Sequence, residues 1–148
     1  MKKILHITLI SIAAIISAIT VSSCAEDYVY GTGDPMYNNG YVRFTDQDLV
    51  GRWALITFND KPVPEYDSFD LRFNSDLISG VWQEMSGPAA VFQWYTESGR
   101  TEAARFLYLN FTDGSSEYYL ARLYFDGANW FLQLTDMTTT NVLVLQAY

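Results

Sequence analysis

The stretch Leu49-Val50-Gly51-Arg52-Trp53-Ala54-Leu55-Ile56-Thr57-Phe58 marks the point where a polar region of the chain gives way to strand-like sequence. Seven further apolar runs follow it at a spacing near twelve residues, and none has the length of a usual helix. Short runs separated by turn residues are typical of an all-β domain. The eight predicted strands cover residues 51–58, 68–74, 77–85, 89–96, 105–111, 116–125, 129–136 and 141–148.

Turn signals between these runs predict that each strand pairs with the next. Ser86-Gly87-Pro88, Asp113-Gly114 and Asp126-Gly127 each separate two runs, and Asp-Gly is a strong hairpin signal. An up-and-down antiparallel sheet of eight strands leaves two unpaired edges unless it closes on itself. We therefore predict an eight-stranded antiparallel barrel, with a two-sheet β-sandwich as the alternative that fits the same periodicity.

The N-terminus has the pattern of a secretory signal. Lys2 and Lys3 precede an apolar run from Ile4 to Val21, which is close to the length of a membrane-spanning helix. The run ends at Val21-Ser22-Ser23-Cys24, a tetrad that resembles the bacterial lipobox. This resemblance implies cleavage before Cys24 and acylation of Cys24 with fatty chains such as palmitate, and two or more chains anchor a protein stably.

The lipobox resemblance divides the chain into three parts: a signal peptide at 1–23, a lipidated N-terminus and flexible tether at 24–44, and a barrel domain at 45–148. Cys24 is the only cysteine, so no internal disulfide can form. Glu26-Asp27 resembles the acidic export signal of Bacteroidetes surface lipoproteins. We expect a lipid-anchored protein of a Gram-negative outer membrane, on its periplasmic or its cell-surface face.

The charge balance argues against nucleic acid as a partner. The whole chain has a net charge of −8. Removal of residues 1–23 removes Lys2 and Lys3 and leaves seven cations against seventeen acids, a net charge of −10. Affinity for a phosphate backbone comes largely from Lys and Arg side chains, so an acidic domain of this kind is not expected to bind nucleic acid.

Gly51-Arg52-Trp53, at the head of the first of eight strands, resembles the Gly-x-Trp signature of lipocalins. The final two runs also look like the last hairpin of small lipocalin-like lipoproteins of Bacteroidetes. The resemblance implies that Gly51 and Trp53 close one end of a barrel whose other end can admit a small apolar ligand. The chain departs from the family at Leu134-Thr135-Asp136, where Met137 stands in place of a tyrosine.

Few residues offer catalytic or metal-binding chemistry. The only histidine, His6, lies in the predicted signal peptide, and Cys24 is predicted to carry lipid. The spacing of Asp46 and Asp48 fits two calcium ligands, but the third carboxylate and the terminal glutamate of a calcium loop are missing. Paired carboxylates can hydrolyse glycosides, but no spacing selects two of the five that could supply such a pair, which are Asp70, Glu84, Glu97, Glu102 and Glu117. We predict no catalytic residues, no metal site and no cofactor.

Aromatic side chains carry the remaining functional signal. They could line a lumen, stack on a sugar, or simply fill the barrel, since each buries about 150–250 Å². The first hypothesis is a small apolar or aromatic ligand held in the barrel, and the alternative is a filled barrel that binds a glycan or a protein through exposed aromatics. The candidate ligand-binding residues are Trp82, Trp94, Tyr118 and Trp130.

Overall fold

The structure is a computed structural model that describes residues 40–99, 101 and 103–148. The predicted signal peptide, Cys24 and the predicted tether up to residue 39 lie outside the described residues. Within the described part of the chain, no helix has the length and apolar character needed to cross a bilayer.

Ten strands and two short helical turns make up the described chain. In order they are β1 (Tyr41–Val42), the helical turn α1 (Asp46–Leu49), β2 (Gly51–Phe58), β3 (Lys61–Pro62), a 3-10 turn (Glu65–Asp67), β4 (Phe69–Phe73), β5 (Ser79–Glu84), β6 (Ala89–Ser98), β7 (Arg105–Phe111), β8 (Ser116–Phe125), β9 (Trp130–Asp136) and β10 (Val142–Ala147).

Eight of these strands form one closed antiparallel barrel, which confirms the predicted fold class. Strands β2, β4, β5, β6, β7, β8, β9 and β10 pair in chain order, and β10 pairs back onto β2 to close the sheet. Because every barrel strand has a neighbour on both sides, the two-sheet sandwich alternative does not hold. All eight predicted runs correspond to these strands, within a few residues at each end.

The barrel interior is filled by side chains that alternate along each strand. Leu71, Leu109, Leu132 and Leu145 are fully buried, as expected where successive residues point to opposite faces. Large rings form a connected cluster among them, with neighbouring ring centroids 4.0 to 6.0 Å apart. The six rings of this cluster are Phe69, Phe73, Trp82, Phe92, Trp94 and Phe111.

Gly80 shows how tightly this cluster is packed. It lies opposite Phe92 on the neighbouring strand, and a Cβ added at Gly80 would come within 2.2 Å of the Phe92 ring. The ring therefore occupies the space that a side chain at position 80 would need. A glycine in the interior of a strand often marks such a close approach.

The two ends of the barrel differ. One end, which we call the capped end, carries the start of β2, the end of β10 and the turns at 74–78 and 126–129. The segment 43–50 runs from β1, which pairs with β8, to the start of β2. On its way Asp46 contacts side chains of β6 and β7, so this segment crosses the opening. The opposite end, which we call the far end, carries the turns at 59–60, 85–88, 112–115 and 137–141.

Two short strands were not predicted. Tyr41 and Val42 of β1 pair with Tyr124 and Leu123 of β8, just beyond the point where β7 begins. The residues up to 44 were predicted to belong to a flexible tether, but the pairing of β1 places part of them in the sheet, and the Phe44 side chain is buried. The other short strand, β3, folds back onto the end of β2.

Candidate functional site

Gly51 and Trp53 lie at the capped end. Gly51 has φ of +138°, a conformation that favours glycine, and it links α1 to β2. The Trp53 ring is buried, and its Nε1–H donates a 2.8 Å hydrogen bond to the Leu49 carbonyl oxygen at the end of α1. This bond fixes the indole against the segment that crosses the opening.

Asp46 ties α1 to the opposite wall of the barrel. Its carboxylate accepts a short hydrogen bond from the Thr96 hydroxyl and lies 3.5 Å from the Arg105 guanidinium. Asp48 instead accepts bonds from the backbone N–H and hydroxyl of Thr45. The two carboxylates considered for calcium thus have separate protein partners. Among the described residues, no three His, Cys, Asp or Glu side chains come together as a metal site requires.

Trp82 and Trp94 belong to the interior cluster. Only 4% of Trp82 and 3% of Trp94 is exposed. The Trp94 Nε1–H donates to the Ser79 carbonyl oxygen, whereas the Trp82 Nε1 is buried without a hydrogen-bond partner. The Trp82 ring is stacked on Phe69 with centroids 4.0 Å apart, and the Trp94 ring meets Phe73 edge-on at 5.0 Å. As they stand, both side chains are part of the core.

Tyr118 lies on the outer face, in a row of three tyrosines that crosses β6, β7 and β8. Tyr95 is paired with Tyr108, and Tyr108 with Tyr118. Both pairs of ring centroids are 4.6 Å apart, with interplanar angles of 10° and 15°. We call Tyr95, Tyr108 and Tyr118 the tyrosine row. The spacing means that the rings stack face to face, so they turn their edges and hydroxyl groups to solvent.

The tyrosine row has polar groups beside it. The Tyr108 hydroxyl donates to Glu97, and its hydrogen bond with Tyr118, desolvation and the bond to Glu97 together raise the pKa of the Tyr108 phenol above its usual value. Tyr95 ends the row on the β5 side and is 46% exposed. One face of the Tyr95 ring is stacked on Tyr108. A planar or ring-shaped ligand could stack on the opposite face.

Trp130 lies apart from the other three candidates. It stands at the first position of β9, at the rim of the capped end, and is 43% exposed. Its neighbour is Phe125, across the β8–β9 turn, with ring centroids 5.1 Å apart. The four candidates therefore occupy three places: the core, the outer face and the rim. They do not form a single site.

A groove of about 510 Å³ lies beside α1 at the capped end. Its size is in the usual range for small-ligand sites. The Thr101 hydroxyl, which lines it, is buried without a hydrogen-bond partner. Sequence reasoning did not identify this groove, because its two sides are 50 residues apart in the chain. The lining residues are Arg43, Phe44, Thr45, Asp48, Ser98, Gly99, Thr101, Ala104 and Arg105.

The carboxylates considered for glycoside chemistry are held on different faces. Asp70 lies on the outer face, where it accepts hydrogen bonds from Arg52 and from the Tyr148 hydroxyl. Glu84 and Glu117 occupy inner-face positions near the far end, on strands that are not neighbours. Burial, and then the charge of Asp136, raises the pKa of the Glu117 carboxyl. Glu102 lies outside the described residues.

The tyrosine row is the arrangement that sequence reasoning missed, although Tyr118 was among the candidates. The Asp113-Gly114 turn fixes the register of β7 and β8, and this register places Tyr108 opposite Tyr118. A register worked out from that turn would have paired the two tyrosines. Comparison of the chain with protein-family models, with curated proteins and with solved structures gave no match.

Proposed function

We propose that this chain is a lipid-anchored, lipocalin-like lipoprotein of a Gram-negative outer membrane, whose filled barrel binds a carbohydrate at the tyrosine row. The single observation that carries the binding proposal is the stacked row itself. Three phenol rings stacked in register on one face provide a ring face at Tyr95 and a line of hydroxyl groups.

The packed interior favours the outer face as the binding surface. A small apolar ligand in the lumen would compete for space with Trp82 and Trp94, which pack on Phe69 and Phe73. Moving a large ring out of a close-packed core forfeits its contacts and leaves a cavity. The barrel then serves as a rigid support, and recognition belongs to its surface.

The chemistry of the row suits a sugar. The apolar C–H face of a pyranose can lie on the free face of Tyr95, and its hydroxyl groups can reach polar side chains on the same face. Glu97 is an acceptor, and Gln93 and Asn110 can both donate and accept. Glu97 and Tyr108 are already joined by a hydrogen bond, so the acceptor is held in place.

The test is binding of soluble polysaccharides to the wild-type protein and to Tyr95→Ala. Loss of one aromatic contact of about 0.5–1.5 kcal/mol corresponds to a roughly two- to twelvefold rise in Kd. The matched control is Tyr66→Ala, which removes a more exposed tyrosine from the 3-10 turn near the far end. Equal affinities for Tyr95→Ala and wild type, or an equal loss in both variants, would contradict the proposal.

The anchoring part of the proposal has its own test. Cys24→Ser should abolish labelling with radioactive fatty acid and leave uncleaved precursor or soluble secreted protein. The wild-type protein should sediment with membranes and leave them only in detergent. Unmutated protein recovered in the soluble fraction, cleaved elsewhere than before Cys24, would rule out the anchor.

A second candidate function is the binding of a small ligand in the groove at the capped end, favoured by its volume and by the unpartnered Thr101 hydroxyl. Here the ligand would be partly polar, because threonine, serine and arginine side chains line the groove. Ser98→Trp would fill the groove from the exposed end of β6. A compound that raises the melting temperature of the wild type but not of Ser98→Trp would support this candidate.

A further inference from the structure

Exposed apolar side chains ring the capped end of the barrel. They come from the β4–β5 turn, from both sides of the β8–β9 turn and from the C-terminus, and their exposed fractions range from 37% to 64%. We call these residues the apolar rim: Leu77, Ile78, Phe125, Trp130 and Tyr148. Phe125 and Trp130 pack on each other and Tyr148 lies against Arg52, but each of these apolar side chains keeps more than a third of its surface exposed at the same end of one sheet.

Charge is distributed unevenly along the barrel axis. All five described arginines belong to the half nearer the capped end, where five described side-chain carboxylates balance them: Arg43, Arg52, Arg72, Arg105 and Arg122 against Asp46, Asp48, Asp76, Glu97 and Asp126. Asp70, near mid-barrel, pairs with Arg52.

The half nearer the far end is strongly acidic. Among the described residues it has seven carboxylates and a single cation, a net charge of −6: Asp60, Glu65, Asp67, Glu84, Asp113, Glu117 and Asp136, with Lys61. An anionic surface therefore repels the far end much more strongly than the capped end.

The chain joins the barrel at the capped end. Tyr41 pairs with Tyr124 and Val42 with Leu123, so β1 runs inward from the β8–β9 turn, and Gly40 lies on the side of Phe125. Fifteen residues separate Cys24 from Gly40, and a chain of that length reaches about 50 Å when fully extended. This reach allows the barrel to touch a membrane that holds Cys24.

We propose that the capped end rests on the headgroup layer of the bilayer through the apolar rim, with the acidic far end directed away from the lipid. The proposal rests on the lipid anchor of the proposed function. Trp and other aromatic side chains favour the boundary between headgroups and acyl chains, and arginines near an anionic leaflet are attracted to it. A tether also raises the local concentration of the rim at the surface, so weak affinity suffices.

The orientation is tested with the mature, lipidated protein in vesicles of phosphatidylcholine and phosphatidylglycerol. Because Cys24 carries the lipid, an introduced cysteine is the only free thiol, and it can hold an environment-sensitive fluorophore. The two label positions are Ala128→Cys in the β8–β9 turn and Ser86→Cys in the β5–β6 turn of the far end, both exposed. Quenching by lipids with a nitroxide near the headgroup reports contact with the bilayer.

We expect several-fold stronger quenching at position 128 than at position 86. Replacing Ile78 and Trp130 together by serine should reduce quenching at position 128, whereas Met85→Ser at the far end should leave it unchanged. Equal quenching at the two positions, or stronger quenching at position 86, would overturn the orientation. A label at position 128 that responds to protein concentration and not to lipid would identify a second copy of the chain as the partner instead.

Vesicle flotation separates this inference from the proposed function. Protein that floats with vesicles but shows no difference between the two labels retains the anchor and refutes the orientation. Protein that does not float, and carries no acyl chain on Cys24, refutes the anchor and the orientation together.

Discussion

Trp53 is the single residue whose removal should cost the barrel most at its capped end. Its ring is buried and its Nε1–H is bonded to the Leu49 carbonyl oxygen. We expect Trp53→Ala to lower the free energy of unfolding by about 3–5 kcal/mol, as for other buried large rings. The measurement is urea denaturation followed by circular dichroism. An unchanged midpoint would contradict this role.

A second substitution at the same position separates packing from hydrogen bonding. Trp53→Phe keeps an aromatic ring but leaves the Leu49 carbonyl oxygen without this donor. A buried acceptor left unpaired costs about 1–3 kcal/mol, so the loss should be smaller than in Trp53→Ala. Equal losses in the two variants would mean that the hydrogen bond, and not the ring, accounts for the effect.

Glu117 gives the barrel a pH dependence of defined sign. Burial and the neighbouring Asp136 raise its pKa in the folded protein, so the folded state binds the proton more readily than the unfolded chain. Stability then falls as pH rises from the unfolded pKa, about 4.3, through the higher folded pKa. We expect Glu117→Gln to raise the melting temperature at pH 7 and to lose that advantage below pH 4.

The control for this prediction is Glu65→Gln, which removes an exposed carboxylate from the 3-10 turn. Its melting temperature should follow that of the wild type across the same pH range. A gain for Glu117→Gln that is as large at acid pH as at pH 7 would mean that a packing change, and not the buried charge, is responsible.

Alternation along a strand predicted which face a residue occupies but not how deeply it is buried. The period of two puts Trp130 on the same face as Leu132 and Leu134, and the structure has the two leucines inside. Trp130 shares their face but stands at the strand end, where the barrel wall no longer covers it. Burial depends on the height of the residue along the closed barrel, and a linear sequence does not contain that coordinate.

At the scale of elements, α1 is a short strap across the barrel opening, and Asp46 holds its N-terminal end. We expect Asp46→Ala to reduce stability by about 1–3 kcal/mol, because it removes the carboxylate that contacts the Thr96 hydroxyl and the Arg105 guanidinium. Gln47→Ala, an exposed neighbour in the same turn, is the control and should change stability little. Thermal unfolding compares them, and equal effects would show that helix content alone matters.

Thr45 followed by Asp46 and Asp48 has the sequence of a helix start, and α1 begins there. Strand β1 was not predicted, because two residues are too few to show alternation. At the capped end β8 extends beyond the start of β7, and β1 pairs with the backbone groups that β7 leaves without partners. A bulge near Ile56, where β2 and β10 change register, was likewise absent from the sequence pattern.

For the whole molecule, β10 is the strand that closes the barrel, since it pairs with β2 on one side and β9 on the other. Deletion of residues 142–148 removes two buried leucines and creates two open edges. We expect the truncated protein to lose its cooperative unfolding transition and to aggregate. Deletion of Tyr148 alone, which is exposed, should leave a cooperative transition, and a cooperative transition in both would contradict the assignment.

The pairing of β2 with β10 also sets how the barrel responds to mechanical force. The C-terminus leaves at the capped end, where the Tyr148 N–H is bonded to the Arg52 carbonyl oxygen. When force is applied between the C-terminus and the chain before β2, both at the capped end, it separates β2 from β10 starting at that end. The hydrogen bonds between the two strands then break one at a time. A pull at the far-end turns instead loads neighbouring strands in shear, and many bonds must fail together. The molecule should therefore resist force applied at the turns of the acidic far end much better than force applied at the C-terminus.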